Sequence, residues 1–153
     1  MSRTRKAPAL WGMAVALLAA AGALVSGYLT WHKVTGTSLW CAGAGSCDLV
    51  NASPYSELFG IPVALLGLVT YLTLAALGLY WWHRGPAVPA WVPLAVAGIT
   101  AGGWVYSAYL TWIEARVLRA YCLWCLTSFG LMTLLLAVGV GGAAAALQRE
   151  AAD

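Results

Sequence analysis

The sequence predicts an all-α integral membrane protein. The expected form is a four-transmembrane-helix bundle with an extracytoplasmic cysteine-containing loop and a short surface helix. Three observations carry this. First, the chain of 153 residues is 62% hydrophobic and only 8% charged, whereas a soluble domain carries about 25% charged residues. Second, the apolar residues fall into four uncharged runs, each long enough to cross a bilayer as a helix. Third, lipid offers no partner for an open backbone, so spans of this kind are helical. One domain over residues 1–153 is expected. The net charge of +3 is too small to indicate nucleic-acid binding, and the basic residues instead carry topology.

Arg3, Arg5 and Lys6 precede an uncharged run from Ala7 to Trp31. A basic head before an apolar run also describes a signal peptide, but this run exceeds the usual apolar core of roughly 7–15 residues and no small-residue cleavage site follows it. As a helix it extends roughly 37 Å, so a first span is expected over residues 7–31. Residues 32–58 form the longest polar interval, with Cys41 and Cys47 in its middle among glycines and small polar residues. Within it, Ser53-Pro54-Tyr55-Ser56-Glu57 reads as a helix start, with Ser53 as cap and proline at the first helical position. A short surface helix is expected there.

The second span is expected over 59–82, ending at the turn His83-Arg84-Gly85-Pro86. The third covers 88–113, with Pro89 and Pro93 near its start, where proline disturbs a helix least. Glu114, Arg116 and Arg119 read as a brief polar link before the fourth span, 121–147. Gly98, Gly102 and Gly103 read as positions of close helix packing. Four spans put both termini on one side. With the N-terminus inside, Arg3, Arg5, Lys6, Arg84 and Arg149 lie inside and Lys33, Arg116 and Arg119 outside, the direction of the positive-inside rule. Both cysteine pairs then face outward, which in a bacterium is the oxidising side.

Cys122-Leu123-Trp124-Cys125 opens the fourth span. Cysteines three apart share one side of a helix turn, and a helix N-terminus favours thiolate. The bland alternative is a pair of small buried thiols or a structural bridge. Position at a helix start on the oxidising side favours redox chemistry. Cys41 and Cys47 could staple their loop, yet closing so small a ring removes little unfolded-state entropy. Gly43 and Gly45 would keep the ring flexible enough to serve as a shuttle. A zinc site from the four cysteines is disfavoured, because the C-x5-C spacing is loose for a structural finger and thiols outside the cell become oxidised. Most tryptophans, Trp31 and Trp112 among them, lie near span ends, where indoles form interfacial belts. Trp124 lies between the two cysteines. No phosphate-cradling loop, Ser-His-Asp set or carboxylate pair within a span is present.

The motif order resembles the bacterial vitamin K epoxide reductase family. It runs Cys41-x5-Cys47, then Asp48-Leu49-Val50-Asn51-Ala52-Ser53-Pro54-Tyr55, then Phe59-Gly60-Ile61-Pro62, and last Cys122-x-x-Cys125. The resemblance extends from about Ala9 to Leu147. Quinone-linked disulfide generators of the other type carry their CxxC in the first outer loop. The resemblance implies a quinone-dependent thiol oxidoreductase of the bacterial inner (plasma) membrane. Such an enzyme reoxidises a thioredoxin-fold, DsbA-like partner and so drives disulfide formation in extracytoplasmic proteins. Cys41 would meet the partner, Cys47 would exchange with Cys122, and Cys125 would face the quinone, either menaquinone or ubiquinone. Ser53 would contact substrate or order the loop, and Phe59, Trp124 and Phe129 would contribute to the substrate site. Animal members place tyrosine where this chain has Phe129. Bacterial members often continue into a fifth span and a thioredoxin-like domain, so a separate partner protein is expected. Two alternatives are a reductase of vitamin K epoxide or quinone using the same cysteines, and a disulfide-stapled membrane subunit without catalysis.

Overall fold

The computed structural model describes residues 3–43 and 45–152. Four long helices dominate: α1 (Arg3–Thr35), α3 (Val63–Arg84), α4 (Trp91–Ile113) and α5 (Leu123–Ala152). Between α1 and α3 lie a short helix, α2 (Cys47–Ala52), and a two-residue hairpin, β1 (Glu57–Leu58) and β2 (Ile61–Pro62). α1 packs chiefly on α3 and secondarily on α5, while α4 packs on α5. Among the described residues, the segments Ala7–Thr35, Val63–Ala87 and Leu123–Ala152 are long and apolar enough to cross a membrane. α4 is 23 residues long and uncharged, but its Trp, Tyr, Gly and Thr residues lower its mean hydropathy.

Several boundaries differ from the sequence reading. α1 continues past Trp31 to Thr35, ending at Gly36 with φ 68°, the left-handed conformation that closes many helices. The second span does not begin at Phe59. Phe59 and Gly60 have φ of 52° and 79°, and Leu58 pairs with Ile61 across them. Two consecutive positive φ values make the tight turn whose twist suits a hairpin, so α3 starts only at Val63. α4 begins at Trp91, later than residue 88, and α5 begins at Leu123, with Cys122 outside it.

The surface helix also sits earlier than expected. α2 begins at Cys47, and Pro54–Ser56 is only a 3-10 turn. Ser53 therefore closes α2 and does not cap a following helix. Its hydroxyl donates to the Val50 carbonyl at 2.7 Å, and its N–H donates to the same oxygen at 3.2 Å. Pro54 has no N–H and disfavours helical backbone in the residue before it; Ser53 accordingly has extended dihedrals.

The apolar interior has two centres. One lies between the long helices and includes Val15, Ala19, Tyr71, Leu74, Trp81, Val96 and Leu135. The other joins the loop to the helix ends and includes Leu29, Leu39, Cys47, Val50, Ala120 and Cys122. Close approach between α1 and α3 rests on glycines the sequence reading did not choose. A Cβ on Gly78 would lie 2.6 Å from the Ala16 nitrogen and 3.0 Å from the Gly12 carbonyl oxygen. Gly22 likewise lies against the Tyr71 ring, and Gly142 against Trp81. Gly98 and Gly102 have nothing within 4 Å, and Gly103 meets only the flexible Met132 side chain. Their small size is not what brings helices together.

This contrast is testable by thermal unfolding in detergent. Gly78→Ala must push backbone against backbone, and a loss of about 1–3 kcal/mol is expected. Gly98→Ala meets no neighbour and gains helix propensity, so it should be neutral or stabilising by up to about 1 kcal/mol.

Candidate active site

The loop holding the first cysteine pair is bent by its own backbone. Ala42, Gly43 and Gly45 all have positive φ, at 53°, 71° and 104°. The bend brings Cys41 and Cys47 together as a disulfide, with Cα atoms 6.1 Å apart. The Asp48 carboxylate accepts the Leu39 N–H at 2.7 Å and ties the loop's entry to α2. On the far side, Lys33 of α1 donates to the Asn51 carbonyl at 2.7 Å and to the Ser56 hydroxyl at 2.8 Å, and pairs with Glu57 at 3.2 Å.

Two contacts seat this loop on the start of α5. The Ser46 N–H donates to the Tyr121 carbonyl at 2.8 Å. A Cβ on Gly45 would crowd the same carbonyl at 2.5 Å, so only glycine allows that approach. Second, the Trp124 indole N–H donates to the Trp40 carbonyl at 2.8 Å. Tyr28 of α1 supports this pair, packing on Trp124 with ring centroids 4.8 Å apart and accepting the Trp40 N–H at 3.2 Å. As a result, Cys47 (2% exposed) and Cys122 (0% exposed) lie in one buried cluster. Cys41 stays half-buried at its edge.

Cys122 occupies the capping position of α5. Its carbonyl accepts the first helical N–H, from Leu126, at 3.0 Å. Its sulfur accepts the Cys125 N–H at 3.3 Å, the contact that a serine oxygen makes in the same place. A hydrogen bond from the Cys125 thiol, and then the first-turn N–H groups, pull the Cys122 thiol below its ordinary value despite burial and a nearby carboxylate. The Cys125 thiol first, and the helix start after it, thus favour thiolate at Cys122. In this structure Cys122 and Cys125 are free thiols.

That carboxylate is Glu114, which the sequence reading left in a polar link. The segment Glu114–Leu118 is a π-helical turn after α4, closed by Arg119 in the left-handed conformation. The Glu114 carbonyl accepts the Ala120 N–H at 3.1 Å, and its side chain accepts the Cys122 N–H at 3.0 Å. Glu114 is 3% exposed. Burial pushes its carboxyl above the ordinary value, against the hydrogen bonds from Cys122 and Cys125. A carboxylate following an uncharged run and eight residues before a CxxC was the signal available in the sequence.

Beside Cys125 opens a mainly apolar cavity of about 270 Å³, whose walls include Ser53, Tyr71, Tyr106, Glu114, Cys125 and Met132. Of the residues expected to meet substrate, Ser53 lines it. Phe59 is at the hairpin tip, 96% exposed. Trp124 holds the loop, and Phe129 packs on Trp104 with centroids 5.8 Å apart. These three are not among the wall residues. Among the described residues, no group of three or more His, Cys, Asp and Glu could hold a metal ion.

Comparison with known proteins bears on the family. The model of the Vitamin K epoxide reductase family matches residues 13–140. The Thiol-disulfide oxidoreductase LTO1 of Arabidopsis thaliana is 33% identical over 112 residues, covering 69% of this chain. The chain spans only 29% of that curated relative's length.

The raised Glu114 value has a consequence for stability. A folded-state pKa above the unfolded one means that stability is highest below the unfolded value and declines as pH rises through the folded value. Unfolding measured across pH should therefore show a decline starting at the ordinary carboxylate range. Glu114→Gln should flatten that part of the profile.

Proposed function

The chain belongs to the vitamin K epoxide reductase family, and from that premise we propose that it is a membrane oxidoreductase carrying electrons from a thioredoxin-fold thiol donor to a membrane quinone. One observation carries the reading. The loop disulfide and the CxxC share a buried cluster through Cys47 and Cys122, while Cys125, packed at the edge of that cluster, also lines the cavity.

The steps follow from thiol–disulfide exchange, which needs a thiolate in line with a disulfide sulfur. A thiolate of the reduced partner attacks Cys41, the more accessible sulfur, and releases Cys47 as thiolate. The partner's second thiol resolves the mixed disulfide, leaving the partner oxidised and Cys41 and Cys47 reduced. Cys47 then attacks Cys122 of the oxidised CxxC and releases Cys125. Cys41 closes on Cys47, and the electron pair rests on Cys122 and Cys125. A bound quinone supplies the two-electron acceptor. The cavity suits its ring: about 270 Å³ is near the lower end of small-molecule sites, roughly 300–1,000 Å³, and the walls are mainly apolar. Ser53 and Tyr71 offer hydroxyls at those walls, although the Tyr71 hydroxyl is already shared with Ser128 at 2.9 Å.

In this reading residues 1–153 form one membrane domain, with α4 as the fourth span completing the bundle. The N-terminus lies inside, and both cysteine pairs lie on the extracytoplasmic side of the inner membrane, where the partner's substrates acquire disulfides. A membrane-impermeant thiol reagent applied to reduced intact cells or spheroplasts should label the cysteines. Labelling only after permeabilisation would place the pairs on the cytoplasmic side.

Donor choice separates the two pairs. With a small dithiol as donor, Cys122→Ala and Cys125→Ala should each bring quinone reduction down to the uncatalysed rate. Cys41→Ala should retain most of that activity but lose turnover with a thioredoxin-fold donor. Equal loss of Cys41→Ala activity with both donors would contradict the order of the relay. Absence of quinone reduction by the wild type with any donor would remove the proposed activity.

A further inference from the structure

Glu114 is a buried carboxyl that the thiol relay does not use. Its placement joins two things: the backbone N–H of Cys122 at 3.0 Å, and the wall of the cavity that Cys125 also lines. The chain builds a π-helical turn to hold it there, with Arg119 at φ 50° folding Ala120 back onto the Glu114 carbonyl. π-Turns are rare and concentrate at functional sites. A buried carboxyl also costs free energy unless it is paired or protonated. Among the described residues the one ion pair is Lys33–Glu57, so Glu114 has no cation within ion-pair distance. Arg116 and Arg119, nearest in sequence, are exposed. The titratable groups around it are Cys122 and Cys125 of α5 and its cap, and, around the cavity, Tyr55 of the loop, Tyr71 of α3 and Tyr106 of α4.

We propose that the Glu114 carboxylate is the proton carrier of the Cys122–Cys125 pair, accepting a thiol proton as the dithiol closes and delivering it into the adjoining cavity. The inference rests on the quinone-linked reading for its acceptor. Closing the pair breaks two S–H bonds, forms one S–S bond, and releases two electrons and two protons. The acceptor, a quinone, leaves as quinol with both electrons and two protons. Glu114 carries one of those protons from sulfur to the cavity, and the other exchanges with water. A raised carboxyl pKa suits this work, since a carrier must bind and release its proton near the working pH. Glutamine would keep the acceptor for the Cys122 N–H but could carry no proton.

The test uses the full chain in detergent, as wild type, Glu114→Gln and Glu114→Asp. The first measurement omits quinone. Infrared difference spectra between the dithiol and disulfide forms, set by a small dithiol and its oxidised form, should show a carboxyl changing protonation in the wild type. The band should shift in Glu114→Asp and vanish in Glu114→Gln. The second measurement is alkylation of Cys122 against pH. Removing a neighbouring negative charge should move the profile of Glu114→Gln to lower pH. The third is quinone reduction, which should fall by roughly 100-fold in Glu114→Gln and less in Glu114→Asp. A more reactive Cys122 combined with slower turnover separates proton transfer from a merely structural role. Wild-type turnover in Glu114→Gln, or no carboxyl signal in the wild type, would overturn the proposal. If Glu114→Gln does not fold, the wild-type band and its shift in Glu114→Asp still decide. Failure of the quinone reading itself would appear differently, as no quinone reduction by the wild type with the infrared signal intact.

Discussion

The Tyr121 carbonyl is the point on which the site depends. It accepts the Ser46 N–H at 2.8 Å and leaves room beside it only for a glycine, Gly45. This contact puts the ring of the first disulfide against the residue preceding Cys122. Every other loop interaction reinforces it: Trp124 to Trp40, Asp48 to Leu39, and Lys33 to the end of α2. A relay between two cysteine pairs requires direct approach of sulfur to sulfur. Loops held by one backbone contact and a few side chains open at low cost, and in the proposed relay the seat that keeps Cys47 in one cluster with Cys122 would also let Cys41 open toward a protein partner.

The second constraint is the capping position of Cys122. A sulfur at the helix cap receives first-turn N–H groups and the positive end of the helix dipole. Glu114 then fixes the backbone of that same residue from the opposite side. The two thiols are therefore unlike. Cys122 is buried beside the loop, and Cys125 borders the cavity. Under the proposed relay, that asymmetry would give the two-cysteine motif a direction.

Much of the fold was legible because lipid demands long uncharged helices: three of the runs became α1, α3 and α5, long and apolar enough to cross a membrane, and the remaining one became the uncharged helix α4. What was not legible depended on local backbone chemistry. Phe59-Gly60 forms a tight turn with positive φ at a non-glycine residue, which hydropathy alone reads as the start of a span. Ser53-Pro54 carries the composition of a helix start, yet α2 formed upstream and used Ser53 as its end. Glycines in α4 looked like packing positions, while the close approaches fell to Gly12, Gly22 and Gly78. The pairing of Cys41 with Cys47 follows the spacing, and the structure bridges them. Glu114 had only its spacing before the CxxC to mark it, because the π-turn that folds it back onto Cys122 does not show in a linear pattern. Phe59 and Phe129 were chosen by motif position, which does not determine which way a side chain faces.

The proposed relay requires that Cys47 and Cys122 exchange directly. That exchange is tested most directly in the double variant Cys41→Ala, Cys125→Ala, which leaves only those two thiols. After mild oxidation in membranes, peptide mapping by mass spectrometry should find a Cys47–Cys122 disulfide within one chain, formed in most molecules. If both thiols remain free, or the only disulfides join separate chains, the two pairs do not meet as the relay requires.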